Sequence, residues 1–209
     1  MASEPDWTPH INWLEPVDER EAARHLSTLL HILKFQEDQF RSSVELIDHV
    51  QTLVSAMQAA DATAGGLRDR ARIANWTAIA ANYAAIIVAN FRDTIFAIRR
   101  AAGQCPSRVE LIDTKTLEDM PTRFSEAFPN YTQVRDGFAH FTDKMFTPAK
   151  IEANRAPDAP FLNGTMIGRS LHFTVDGKPV SLAVTIESLD KLTALRRGLY
   201  EAFRRVSVR

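Results

Sequence analysis

Residues 76–91 read WTAIAANYAAIIVANF. Trp76, Ile79, Tyr83, Ile86, Ile87, Val88 and Phe91 cover nearly the whole circumference of a helix at 3.6 residues per turn. A helix that is apolar almost all round belongs at the centre of a core. Its most apolar part, Ala78 to Phe91, is interrupted by Asn82 and Asn90. It is also shorter than the roughly 18 residues that suggest a membrane span. A buried helix is therefore expected, with no membrane association.

The same helical pattern extends outward in both directions. Thr63, Ala64, Gly65 and Gly66 form a turn signal before it, and Gly103 and Pro106 stop it after about Ala102. The spacing predicts one long helix from Leu67 to Ala102. Its ends are basic, with Arg68, Arg70 and Arg72 at one end and Arg99 and Arg100 at the other. Upstream, Asp18 with Glu21 is a capping-type start, and no Gly or Pro follows until about Ala62. Leu26, Leu29, Leu30, Leu33, Phe40, Val44, Ile47, Val54 and Met57 recur at helical spacing. The polar run from Gln36 to Gln39 marks a kink or a break there and reads as a solvated face. This first segment is acidic, so the basic ends of the second read as charge complementarity between antiparallel neighbours. His31 and His49 have no partner ligand at i,i+4 and read as structural.

Downstream, residues 106–129 read as a connector with a short helix around Leu117–Phe128. Then residues 131–141 read YTQVRDGFAHF. Asn130 as N-cap with Gln133 three residues on is a capping-box spacing, and Thr147 with Pro148 is a stop. Arg135, Asp136 and His140 then ride one helix. Asp136 and His140 are i,i+4 and share a face, so the carboxylate is placed to hold the imidazole. Arg135 and His140 are separated by about 140° of rotation and flank a ridge. A Gly inside a helix costs about 1 kcal/mol relative to Ala, so Gly137 asks for a packing reason. Close approach of two copies of this helix is the expected one, giving a homodimer through the motif helix.

Arg135, Asp136 and His140 form an Arg-Asp-x-x-x-His stretch that resembles the motif of the HEPN superfamily, all-helical domains that include metal-independent ribonucleases. A second Arg-x4-His spacing, Arg20 to His25, has Glu21 rather than Asn, Asp or His after the Arg and no long helices upstream. Trp76, Tyr83, Phe91 and Phe128 with Pro129 extend the resemblance over roughly residues 20–145. The resemblance implies that Arg135 binds the scissile phosphate and that His140 moves a proton at the ribose 2′-hydroxyl or the leaving group. It also implies dimers with facing motifs. Asp136 would orient His140. The alternative is a non-catalytic helical interaction module or a structural homodimer.

Residues 147–164 are Pro-rich and read as a loop ending in Asn163 and Gly164. Beyond them the period changes to two. Leu171, Phe173 and Val175 alternate with polar residues, Asp176 and Gly177 follow, and Val180, Leu182, Val184 and Ile186 alternate again. This is a β-hairpin signal that pairs Phe173 with Val180 and Leu171 with Leu182. His172 falls on the polar face and is expected in solvent. Ser188 reads as the cap of a last helix carrying Leu192, Leu195, Leu199 and Phe203 on one side. Arg196, Arg197, Arg204, Arg205 and Arg209 follow its course. They complement the helix dipole or supply an RNA-binding patch.

The fold class expected is mainly α: an antiparallel helical bundle with two long helices, plus a C-terminal β-hairpin and helix (165–209) on the same core. Residues 1–209 are read as a single domain. Residues 1–16, with three prolines and two tryptophans, form an irregular arm on its own body or on a partner. No signal-peptide pattern opens the chain. The single Cys, Cys105, fits a reducing cytoplasm. A formal charge of −1 gives no global attraction to nucleic acid, so RNA binding needs a local patch. No Cys/His spacing points to a metal, and no Gly-rich loop points to a nucleotide cofactor; none is expected.

Overall fold

The computed structural model describes residues 16–60, 64–139, 147–155 and 161–207. The protein is mainly α, with a small antiparallel sheet near its C-terminal end. Helix α1 runs Arg20–Ala60 and α2 runs Ala64–Ala102. A 3-10 turn, Pro106–Leu111, leads into α3, Thr114–Ala127, and α4 follows at Tyr131–Ala139. A short helix α5 covers Pro148–Asn154. Strands β1 (Asn163–Ile167), β2 (Ser170–Val175) and β3 (Lys178–Ala183) precede α6 (Ile186–Ala202) and the single turn α7 (Arg204–Ser207).

Several boundaries differ from those read in the sequence. Gly65 and Gly66 lie inside α2 rather than in the turn before it. Helix α1 runs without a break through the polar run at Gln36. Asn163 and Gly164 open a third strand rather than closing a loop. Gly164 has φ +66, and the β1–β2 register shifts between Asn163 and Thr165, which is a bulge built on glycine. Before it, Leu162 already exchanges hydrogen bonds with Thr174 at 2.7 and 2.9 Å.

The chain divides into two compact units, each assembled from separated segments. The first comprises Met1–Asp38, Asn90–Ala127 and Asp190–Arg209. Its interior is filled by Leu26, Leu30, Leu33, Phe91, Phe124 and Phe203, among others, all essentially buried. Phe91 and Phe124 stack with ring centroids 6.4 Å apart. A Cβ on Gly198 would sit 3.3 Å from Met120 Cε, so the glycine lets α6 pass close to α3. Lys191 Nζ reaches the carbonyl of Ala127 at the end of α3, where a cation satisfies an orphan acceptor.

Charged side chains are also inside this unit. Glu37 and Arg196 are both buried and bonded to each other, and the Arg196 guanidinium lies over the Tyr200 ring. Gln36 Nε2 donates to Thr94 Oγ1 at 3.1 Å. The run Gln36–Glu37 is thus not a solvated face, and Arg196 is not part of a surface basic patch. Arg197, Arg204 and Arg205 remain exposed, and Arg204 pairs with Glu201. Arg209 lies outside the described residues.

The second unit comprises Gln39–Ala89 and Phe128–Leu189. Its sheet has order β1-β2-β3 and is antiparallel throughout. Leu171 faces Leu182 and Phe173 faces Val180, the register that the alternation dictates. Asp176 and Gly177 both have positive φ, +50 and +71, as a two-residue type I′ turn requires. Leu171, Phe173, Leu182 and Val184 are buried, so the apolar face of the sheet is covered. Arg169, in the β1–β2 turn, pairs with Asp48 of α1 at 2.7 Å. His172 is half-buried rather than exposed.

The last helix starts earlier than the sequence suggested. Its first residue is Ile186, and Thr185 is the cap: its hydroxyl accepts the N–H of Ser188 at 3.4 Å. Ser188 is itself buried. The Thr185 hydroxyl also bonds the Glu187 carboxyl, which with the Glu187 N–H and the nearby Arg169 charge lowers that carboxyl's pKa.

Candidate functional site

Helix α4 carries two of the three motif residues. It begins where the capping residue places it, with the Val134 N–H on the Asn130 carbonyl at 3.0 Å. Val134 faces inward and is buried. Helix α4 lies against the sheet, nearest to β2 and β3.

Gly137 is the point of closest approach. A Cβ there would fall 2.9 Å from Phe173 Cδ1 and 3.0 Å from Phe173 Cγ. That is closer than carbon atoms pack. The packing reason for a glycine in this helix is therefore met by β2 of the same chain. The expectation that Gly137 serves a second copy of the helix loses its motive.

Arg135 and Asp136 lie on the outer side of α4, with side chains 46% and 41% exposed. Arg135 donates from Nε and Nη2 to the same oxygen, Asp136 Oδ1, at 3.0 and 2.9 Å. Adjacent residues on a helix do not share a face, and it is the length of the Arg stem that closes this pair. The carboxylate expected to hold His140 is here engaged by the guanidinium. His140 lies outside the described residues.

The arrangement presents a fixed, half-exposed guanidinium on a helix seated rigidly by its other side. Such a group suits an oxyanion, because a guanidinium is permanently charged and offers donors in a fixed fork. Among the described residues no group of three His, Cys, Asp or Glu side chains is arranged to hold a metal ion. Cys105 is buried in the first unit. No described helix is long and apolar enough to cross a membrane.

A surface the periodicity did not separate lies on α2 in the second unit. Trp76, Ile79, Tyr83 and Ile86 are 45%, 64%, 43% and 37% exposed. The buried side of the same stretch is made of Ala80, Ala81, Ala84, Ala85, Ile87 and Val88. The helix is apolar all round, but only its alanine-rich side is in the core. The signal was present: the large residues recur at spacings of three, four and three, whereas the small ones fill the opposite side.

The chain matches no family model, no curated protein and no solved structure.

Proposed function

We propose that the protein is a HEPN-like endoribonuclease that acts without a metal ion. The observation that carries this reading is the Arg135–Asp136 pair, half-exposed on a helix held against the sheet at Gly137. Arg135 stabilises charge developing on the phosphoryl oxygens. Asp136 fixes the guanidinium through Nε and Nη2 rather than acting on the base directly. His140, four residues after Asp136 in the sequence, transfers the proton as the ribose 2′-hydroxyl attacks the adjacent phosphate. The products carry a 2′,3′-cyclic phosphate and a free 5′-hydroxyl.

The reading includes an antiparallel arrangement of the two long helices. Within the second unit, Gln39 Nε2 bonds the Tyr83 hydroxyl while Leu46 and Ile79 line one groove, so the α1 number rises as the α2 number falls.

The test is RNA cleavage in EDTA. Arg135→Ala and His140→Ala should each reduce the rate by about 100-fold or more, with unchanged helix content. Asp136→Asn should be milder. Cleavage that survives both alanine variants, or that chelation abolishes, refutes the assignment.

A second reading, a non-catalytic interaction module, is favoured by the apolar face of α2. Absence of cleavage on every RNA tested, together with association through that face, would select it.

A further inference from the structure

Between Arg72 and Arg92 helix α2 has no charged residue. On its exposed side Trp76, Ile79, Tyr83 and Ile86 follow one another at the three-four spacing of a coiled-coil seam. Beside this ridge runs a groove of about 300 Å³. Leu46, Ser42 and Ser43 of α1 form one wall, and Ile79, Ala80 and Tyr83 of α2 the other. Gln39 Nε2, bonded to the Tyr83 hydroxyl, fixes that side chain in place.

We infer that a second copy of this chain docks on this face, forming a two-fold dimer through α2. The inference goes beyond the RNA reading and uses none of the residues, Arg135, Asp136 and His140, that carry its chemistry. Ridge and groove lie side by side, and none of the side chains that form them is charged. That is the requirement of an isologous contact, in which each ridge enters the groove of the other copy. Two such surfaces meet without like-charge repulsion. A nucleic acid or a charged peptide finds no charge on α2 there to pair with. A lipid surface is a poorer fit, because interfacial helices carry Lys and Arg on the face opposite their apolar one, and here that face is the buried alanine-rich one.

The size is adequate. Large side chains carry about 150–250 Å² each, so Leu46 and the four α2 residues at these exposures offer on the order of 450 Å² per copy. Two copies and their rim approach the roughly 1,000 Å² at which specific interfaces begin. The contact is therefore at the small end of specific interfaces.

Sedimentation equilibrium of the full chain between about 1 and 100 µM should show reversible dimerisation. Ile79→Glu and Trp76→Glu, at exposed positions, should each weaken association at least tenfold, with helix content and melting temperature unchanged. Gln133→Glu, on the exposed side of α4, should leave it intact. A chain that stays monomeric at 100 µM overturns the inference. So does a dimer that tolerates both α2 variants, or one broken by Gln133→Glu alone. A monomer that floats with phosphatidylcholine vesicles overturns it in favour of a lipid.

Discussion

Arg196 donates from Nε to Oε2 of Glu37, and both side chains are almost completely removed from solvent. The pair joins α6 to α1 within the first unit, across 159 residues of chain. The Arg196 guanidinium also lies 5.0 Å from the centre of the Tyr200 ring, and the Tyr200 hydroxyl donates to the carbonyl of Leu30. Removing either partner takes away the charge that offsets the other's burial, which costs about 3–5 kcal/mol. Glu37→Gln and Arg196→Met should each lower stability by roughly that amount in urea titration. The double variant Glu37→Leu with Arg196→Met removes both charges and should recover most of the loss.

Gly137→Ala places a methyl group against the Phe173 ring. Alanine is the better helix former by about 1 kcal/mol, but overpacking of this kind costs about 1–3 kcal/mol. The variant should melt below the wild type. Adding Phe173→Leu should relieve the clash. A second-site gain from Phe173→Leu that is absent in the wild-type background would establish the contact.

The α6 cap predicts a pH response. Glu187 has its pKa lowered first by the Thr185 hydroxyl, then by its own N–H and by Arg169. Asp113, bonded by the hydroxyl and N–H of Thr116, is lowered in the same sense. A lowered carboxyl contributes stability above its unfolded pKa and loses it as pH falls through the folded value. The wild type should therefore lose stability on acidification below about pH 5. Glu187→Gln should flatten part of that slope, and Thr185→Ala should cost about 0.5–2 kcal/mol at neutral pH. Thermal melts between neutral and acidic pH would measure both.

The Arg169–Asp48 pair should matter little. Both side chains are close to half exposed, and pairs of this kind contribute about 0–1 kcal/mol. A double-mutant cycle with Arg169→Ala and Asp48→Ala should give a coupling within that range and decreasing with salt.

Much of the fold was legible because its signals are local. The hairpin register follows from alternation around Asp176 and Gly177, and both long helices follow from apolar recurrence. What was missed depends on partners distant in sequence. Glu37 lies four residues after Leu33 and three before Phe40, and Arg196 lies four after Leu192 and three before Leu199. Each charge thus sits on the apolar stripe of its own helix, a pattern that calls for a buried partner. Local pattern alone makes Glu37 part of a solvated face and Arg196 a complement to the helix dipole or part of a basic patch. β1 escaped because Gly164 and the preceding prolines mask a strand that needs a bulge to pair. At the site, the sequence placed Arg135 and Asp136 on one helix and asked why Gly137 was there. It did not show that the adjacent carboxylate takes the guanidinium, since neighbours on a helix point apart.

The seat of the motif helix has a remote determinant. Phe173 meets Gly137 only because β2 shows its odd-numbered residues, Leu171 and Phe173, to the interior. That choice is made at the Asp176–Gly177 turn, where a slip of one residue would turn the phenylalanine to the opposite side of the sheet. The height at which Arg135 stands above the surface is therefore set by a two-residue reversal that comes well after the arginine in the chain. Loop chemistry there acts as a calibration of the motif: lengthening that reversal by one residue would leave every motif side chain in place in the sequence and remove the platform they are aimed from.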